Sequence, residues 1–186
     1  KKFISNRDKL SNSFHQEAFN ILALFKYKDP KEIKILDYGS GWGGWILETR
    51  KILPGVDGLE FSPSRSKYLS ENNINLIKLD DIKIKKDYYN FVRCEQVLEH
   101  LSDLTLFFKL MSTIIKKNCY LHVSVPNAKK IIKTNKIELY LNKSPAQPLE
   151  HLNAFTPKSL IKVANKYGFK ELSIIKLLLI YKYKGI

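Results

Sequence analysis

The sequence predicts an α/β domain built on a largely parallel sheet with helices on both faces. Three observations carry this expectation. Short apolar runs of strand length alternate with stretches whose apolar residues recur at helical spacing. Four glycines, Gly39, Gly41, Gly43 and Gly44, fall within six residues, directly after the first apolar run and at the start of the next helix. Acidic residues stand where three of the runs stop, at Asp37, Glu60 and Asp80. In a parallel sheet those ends share one edge, and ligands bind there.

A chain of 186 residues is enough for one domain with a sizeable core. Residues 1–186 are therefore expected to form a single unit, with a helical segment over 1–28 and a substrate-side connection over 128–150. Lys1 to Asn12 is polar and expected to be loose. Ser13 to Tyr27 places Phe14, Ala18, Ile21, Leu22 and Phe25 on one helical face, and Asp29-Pro30 ends that helix. Ile33, Ile35 and Leu36 read as a buried first strand. A helix runs from the glycine corner to about Leu53 and is closed by Pro54-Gly55. Val56 to Phe61 is the second strand, and Ser62-Pro63 opens a helix to about Glu71. Ile74 to Leu79 is expected as a third strand, with Asp80 and Asp81 at its C-terminal end. Tyr89 to Cys94 is the fourth, followed by Glu95-Gln96. Asp103 to Lys117 is a helix with Leu104, Phe107, Phe108, Met111, Ile114 and Ile115 as its buried stripe. Tyr120 to Val125 is the fifth strand, stopped by Pro126-Asn127. Ala128 to Gln147 is a Lys-rich connection, too long for a simple turn and suited to covering a substrate. Thr156-Pro157 caps a last helix to Tyr167, Gly168 ends it, and Phe169 to Tyr183 supplies one or two closing strands.

Strand, glycine turn, helix is the form of a nucleotide-binding corner. Glycine tolerates positive φ and has no Cβ, so a ligand can approach the backbone, and the free N–H groups at the helix start can donate to it. The letters fit two templates. Gly39-x-Gly41-x-x-Gly44 is the dinucleotide fingerprint, and Asp37-x-Gly39-x-Gly41-x-Gly43 is the pattern of S-adenosylmethionine (SAM) methyltransferases. A tight turn with no ligand is the plain alternative. Glu60 lies 21 positions after Gly39, where a carboxylate can accept hydrogen bonds from both ribose hydroxyls. Asp80 can accept from an adenine amino group. Asp81 is its rival, because a boundary error of one residue exchanges them.

Composition narrows the partners. The chain is 44% hydrophobic and 27% charged, as in an ordinary globular protein. Its formal net charge of +14 admits nucleic acid or an anionic surface. Only four of the 32 basic residues are Arg (Arg7, Arg50, Arg65 and Arg93), and the lysines are spread rather than clustered, which argues against nucleic acid. Cys94 and Cys119 make neither a disulfide framework nor a zinc pattern, and reduced thiols fit a cytoplasmic protein. The most apolar run, Ile174 to Tyr181, is interrupted by Lys176 and is far short of the ~20 residues of a membrane span. If the strand readings hold, Cys94 ends one strand and Cys119 begins its neighbour, so the two thiols lie at opposite edges of the sheet and stay unbonded.

The successive strings LDYGSGWGG, LEFSP, LDD, EQVLEHL, VSVPN and LEHLNAFTPKSL resemble, in order, the motifs of class I SAM-dependent methyltransferases over about residues 33–170. The similarity is nearest the bacterial small-molecule and glycan-modifying members. It implies a Rossmann-like, three-layer α/β/α sandwich whose seven-stranded sheet has one antiparallel strand near the C-terminus. It implies SAM as cofactor and S-adenosylhomocysteine as product. Gly39, Ser40, Gly41 and Gly43 would border the methionine portion, with Asp37 near its ammonium group. Glu60 would take the ribose with Phe61 beside it, and Asp80 or Asp81 the adenine. Cys94, Glu95 and Gln96 would pass under the methionine and sulfonium. Trp42 would pack either over the cofactor or into the core.

Methyl transfer from a sulfonium is an in-line displacement, so the enzyme must mainly align the reactants and exclude water. A hydroxyl acceptor also needs a base or a metal, and histidine suits the base role. His15 and His122 read as solvated or structural. Gln96, Glu99 and His100 share a face if a helix begins there. Some quinone-precursor O-methyltransferases of this superfamily hold a metal on Glu, Glu and His at this spacing. Gln96 is a poorer ligand, so no metal is expected; His100 is a further catalytic candidate, with Glu99 and His100 bracing the loop as the alternative. His151, in LEHLNAFT, is the candidate general base, with Glu150 orienting it or binding the acceptor; a structural role for His151 is the alternative. The strand-four ending CEQV, unlike the NPPY-type string of nucleic-acid N-methylases, favours an oxygen or nitrogen of a small-molecule, sugar or lipid-linked acceptor. The rivals are an RNA methyltransferase using the Lys-rich surface and a SAM-binding module without catalysis. The oligomeric state is left open.

Overall fold

The computed structural model describes residues 2–26, 28–74, 76–129 and 150–172. Its centre is a four-stranded, wholly parallel sheet in the order β2-β1-β3-β4, made of β1 (Ile35–Tyr38), β2 (Val56–Leu59), β3 (Tyr89–Glu95) and β4 (Ile115–Ser124). The seven strands with an antiparallel member are therefore not what the described residues form. Phe169 to Leu172 is not strand, and the rest of the expected closing segment, residues 173–183, lies outside them.

The two central strands are covered on both sides, which is why they are almost entirely buried. All four residues of β1 are buried, as are the first six of β3. The alternation of strand side chains divides the core into two layers. Ile35 and Phe91 face a cluster with Ala18, Ile21, Trp45, Ile46, Val56 and Leu69, under helices α1 (Lys2–Leu24), α2 (Gly44–Thr49) and α3 (Pro63–Glu71). Leu36, Tyr38, Val92 and Cys94 face the other, with Ile82 of α4 (Leu79–Lys83) and Phe107, Phe108, Met111 and Ile114 of α5 (Leu104–Ile114). The last helix, α6 (Pro157–Asn165), lays Leu160, Val163 and Ala164 on this second cluster. A reciprocal capping box between Thr156 and Ser159 starts it, and Gly168, at φ +86°, follows it.

Several elements differ from expectation. Helix α1 begins at Lys2 rather than near Ser13, because no Pro or Gly interrupts residues 2–24. The third strand shrinks to a single parallel bridge from Leu76 to Gly58 at the sheet margin. The chain then turns into α4, so Asp80 and Asp81 stand in a helix's first turn, where its dipole favours acids. Strand β4 starts five residues early, at Ile115. Between the pairs Tyr89–Ile115 and Phe91–Tyr120 it carries an irregularity, with Asn118 at φ +61°. Cys94 pairs in register with Val123, four residues beyond Cys119, and both thiols are free. The connection over 130–149 lies outside the described residues. No helix among the described residues is long and apolar enough to cross a membrane.

Candidate active site

The strand order reverses at β1. Its successor β2 lies on one side and β3 on the other, and in a parallel α/β sheet the ligand crevice belongs at such a switch point, between the C-terminal ends of β1 and β3. The glycine corner leaves β1 at this point, and EQVLEH leaves β3. The two segments touch: a Cβ on Gly39 would fall 2.4 Å from the Val97 Cγ2.

Backbone bonds to the end of β2 fix the corner. The amides of Gly39 and Ser40 donate to the Leu59 carbonyl at 2.8 and 2.9 Å, and the Ser40 hydroxyl donates to the carbonyls of Asp37 and Leu59 at 3.0 and 3.1 Å. The Glu60 carboxylate spans the next gap. It accepts the Gly41 amide at 2.7 Å on one oxygen and the Ser62 amide at 2.8 Å on the other. Gly43, at φ +73°, starts α2 and packs so closely that a Cβ would fall 2.4 Å from Leu69 and 2.6 Å from Ile74. Gly41, at φ +58°, has nothing within 4 Å of that position and faces open space. The aromatics nearby are not core. Trp42 is 59% exposed, edge-on to Tyr68 at 5.3 Å and near the Arg65 guanidinium. Phe61 is half-exposed, edge-on to Tyr38.

Behind the corner is an ionic cluster that sequence reasoning missed. Arg93, in β3, donates to Asp37 at 3.2 Å, to Glu17 of α1 at 3.1 Å and to Glu95, and its guanidinium lies over the Trp45 ring. Glu17 also accepts the Trp45 indole N–H at 2.9 Å and faces His122. Burial pushes the Asp37 carboxyl up to about 6 against the pull of Arg93. Burial acts on Glu17 in the same sense, but its hydrogen bond with His122 and the Arg93 charge outweigh it, and the pKa is lowered. The signal for this cluster was an arginine inside a run read as a buried strand, since a buried charge requires partners.

The remaining expected residues fall as follows. Asp37 is 1% exposed and turned to Arg93, so it does not present its carboxylate to the crevice. Asp80 is exposed and held by Lys83 at 2.8 Å, which lowers its pKa; Asp81 is exposed beside it. The Cys94 thiol is buried in the core, which pushes its pKa well up, so only its backbone borders the crevice. Glu95 is half-buried. Gln96, at φ +53°, turns to β4, its backbone N–H donating to the Ser124 carbonyl at 2.8 Å and its side-chain NH2 to the Ser124 hydroxyl at 3.5 Å. The shared helical face of Gln96, Glu99 and His100 does not form, because a short 3-10 turn, Leu98–His100, follows β3 instead of a helix. The segment from Glu150 to Phe155 folds onto this turn. Asn153 donates to the carbonyls of Leu98, Leu101 and Glu99 at 3.1, 2.6 and 3.0 Å. His100 Nδ1 donates to the Glu150 carbonyl at 2.7 Å, and the rings of His100 and His151 lie 4.8 Å apart. The three residues expected at the acceptor end, His100, Glu150 and His151, thus come together, with Glu150 contributing its backbone.

The sequence matches a family model for a methyltransferase domain over residues 11–174. The chain belongs to this methyltransferase family. No curated protein matches it. Among solved structures it resembles a SAM-dependent methyltransferase from Archaeoglobus fulgidus, with 17% identity and a TM-score of 0.63 over 95% of this chain and 85% of that one. It also resembles the geranyl diphosphate C-methyltransferase of Streptomyces coelicolor, solved with Mg2+, geranyl diphosphate and S-adenosylhomocysteine. That match has 12% identity and a TM-score of 0.63 over 92% and 68% of the two chains. A candidate sarcosine dimethylglycine methyltransferase from Galdieria sulphuraria matches at 16% identity and a TM-score of 0.62, and this chain spans 61% of its length. These likenesses establish the class I methyltransferase fold, and the Archaeoglobus relative is a SAM-dependent enzyme. The methyltransferase crevice fits that cofactor here. Its backbone is open at Gly41, Glu60 is fixed at its mouth with lone pairs to spare, and the Arg93 cluster holds more carboxylates than cations, which suits an ammonium and a sulfonium.

Proposed function

We propose that this chain transfers a methyl group from SAM to an oxygen or nitrogen of a small-molecule, sugar or lipid-linked acceptor. The observation that carries the reading is the glycine corner at the switch point, with Glu60 locked across its mouth. Bound SAM supplies an electrophilic methyl on a sulfonium. The chain's own residues do the rest. Gly39, Ser40, Gly41 and Gly43 line the methionine end with backbone, and Glu60 accepts the ribose hydroxyls beside Phe61. Asp80 or Asp81 takes the adenine amino group, and Trp42, with Tyr68, walls the open side. Asp37 acts through Arg93, and Glu95 and Gln96 form the floor under the methionine. At the acceptor end, His151 serves as the base that takes the acceptor proton, with His100 beside it, its ring held by the Glu150 carbonyl.

The test incubates the full chain with a cell extract and isotopically labelled SAM, followed by mass spectrometry of small molecules, glycans and lipids. A labelled product in one of these pools is the expected result. Label confined to RNA would replace the reading with a nucleic-acid one, and tighter binding of a nicotinamide dinucleotide than of SAM would overturn it altogether.

A further inference from the structure

We propose that the outward face of α6 docks peripherally on an anionic lipid surface and so sets the crevice beside a lipid-linked acceptor. The docking stands on its own observations. The choice of a lipid-linked acceptor deepens the proposed methyl transfer and rests on it.

The first observation is a stripe of charge. α6 and the turn after it lay Leu160, Val163, Ala164 and Tyr167 on the core. Lys158, Lys162 and Lys166 recur every four residues on the opposite face, and all three are exposed. Lysines that look dispersed in the sequence are thus gathered by the helix into one row, about 12 Å long at 1.5 Å per residue. No acidic residue occurs between His151 and Lys170.

The second observation is what this row does to the helix. In or beside α2, α3 and α4 an exposed lysine has an acid three or four residues away: Lys51 with Glu48 at 2.7 Å, Lys67 with Glu71 at 4.0 Å and Lys83 with Asp80 at 2.8 Å. On α6 each lysine has another lysine at that spacing, and none of the three is in an ion pair among the described residues. Like charges so placed repel one another. Lys158 also stands in the first turn, at the positive end of the helix dipole, and no acid accompanies it there. Both effects oppose the helix on its own, and a layer of negative charge against this face relieves both.

The third observation is where the row begins. Asn127 and Phe155 form a parallel bridge, which brings the exposed Lys129 near the start of α6. Leu152 is 63% exposed, in the segment that carries His151 to His100. Lysines beside an exposed aliphatic side chain suit a membrane: the charges draw the face to anionic headgroups and the leucine enters their boundary. RNA draws instead on arginine forks and aromatic stacking. This face has neither. The last arginine of the chain is Arg93, and Phe155, Tyr167 and Phe169 all pack on the core. With α6 against the bilayer, the acceptor end of the crevice lies beside it, and a headgroup or glycan reaches His151 while still attached to its lipid.

The test is flotation of the untagged chain with vesicles of two-thirds phosphatidylcholine and one-third phosphatidylglycerol, against phosphatidylcholine alone. Expected is binding to the mixed vesicles only, weakening steeply as salt is added. Changing Lys158→Gln, Lys162→Gln and Lys166→Gln together should weaken it by at least about tenfold. Changing Lys51→Gln, Lys67→Gln and Lys86→Gln together removes the same charge elsewhere and should stay within about threefold of wild type. Leu152→Ser should weaken it by a few-fold. Far-UV circular dichroism and SAM affinity should be unchanged throughout. No flotation of the wild-type chain would overturn the proposal, as would undiminished flotation of the α6 triple variant. Equal losses in the two triple variants would also overturn it, by reducing the effect to net charge. Tighter binding to single-stranded RNA than to the vesicles at the same salt, lost in the α6 variant, would give the face to nucleic acid instead. SAM binding without flotation removes the docking face alone, and flotation without SAM binding removes the methyltransferase reading.

Discussion

Glu60 and Gly41 are joined by a 2.7 Å hydrogen bond from the Gly41 amide to the carboxylate, whose other oxygen holds Ser62. The bond ties the loop after β1 to the loop after β2. A glutamate free to rotate would have to be ordered by its ligand. Here the ordering is already made, and each oxygen keeps a lone pair for a ribose hydroxyl. The same carboxylate is therefore a strap of the corner and, in the proposed function, the ribose acceptor as well.

Replacing Glu60 tests both roles. Glu60→Ala should weaken SAM binding by ~1.5–3 kcal/mol, roughly ten- to 150-fold. Glu60→Gln keeps one acceptor oxygen and should lose less. Isothermal calorimetry checks this, and unchanged affinity in Glu60→Ala would remove Glu60 from the ribose.

The glycines of the corner should respond unequally. Gly41→Ala meets no atom and should cost only the left-handed backbone strain, ~1–2 kcal/mol. Gly43→Ala carries that strain and also forces a methyl against Leu69 and Ile74, adding ~1–3 kcal/mol. Each kcal/mol shifts Tm by about 2–4 °C at this size, so scanning calorimetry should place Gly43→Ala well below Gly41→Ala. Equal melting temperatures would show that the Leu69 and Ile74 contacts yield freely.

What was legible in the sequence was local. The glycine corner, Glu60 after β2 and the Thr156 cap each follow from a few adjacent residues, and their geometry matches that reading. The third strand was not legible. Leu76 and Ile77 have strand character, but only a sheet-edge bridge is available to them, and the acids at 80 and 81 suit a helix start equally well. The Arg93–Glu17 pair joins residues 76 apart, and no pattern within either segment reveals it. His100 and His151 could each be placed at the strand-end edge, but their contact depends on Asn153 binding three carbonyls.

Asp37 gives a pH dependence of defined sign. Its pKa rises from 3.8 unfolded to about 6 folded, chiefly through burial. The folded state therefore holds its proton more tightly. The stability this contributes is complete below pH ~4 and is lost as pH rises through about 6, an effect of order 1–3 kcal/mol. Glu17, with a lowered pKa, works the opposite way below its ordinary range. Asn mimics the protonated acid, so the Tm difference between Asp37→Asn and wild type should become more favourable to the variant from pH 4.5 to 7.5. A flat difference would mean that Arg93 keeps Asp37 ionised throughout.

Thiol chemistry should separate the two cysteines. Cys119 is half-exposed, whereas Cys94 is fully buried with its pKa pushed well up. A thiol reagent should modify Cys119 in the native protein and reach Cys94 only on unfolding. Unfolded, non-reduced protein should titrate two thiols. Simultaneous native labelling would show that the sheet opens readily at β3.

Asn153 offers the sharpest test of how the acceptor end is held. Its side-chain NH2 donates to the carbonyls of Leu98 and Leu101, and its backbone N–H donates to that of Glu99. Asn153→Ala removes two side-chain bonds and leaves two partly buried carbonyls to water, a loss of ~1–3 kcal/mol. Asn153→Asp has the same shape but replaces the donors with a carboxylate facing two carbonyl oxygens. It should therefore destabilise more than alanine at pH 7 and recover part of the difference at pH 4, where the protonated acid can donate one bond. In the assay that identifies the acceptor, both variants should lower kcat or raise the acceptor KM while the SAM affinity stays within a few-fold. The glycine corner and Glu60 do not depend on this strap, whereas the position of His151, two residues away, does. Unchanged acceptor kinetics in Asn153→Ala would mean that the segment over 150–155 docks without the side chain. A parallel loss of SAM binding would mean that the two ends of the crevice are one cooperative unit.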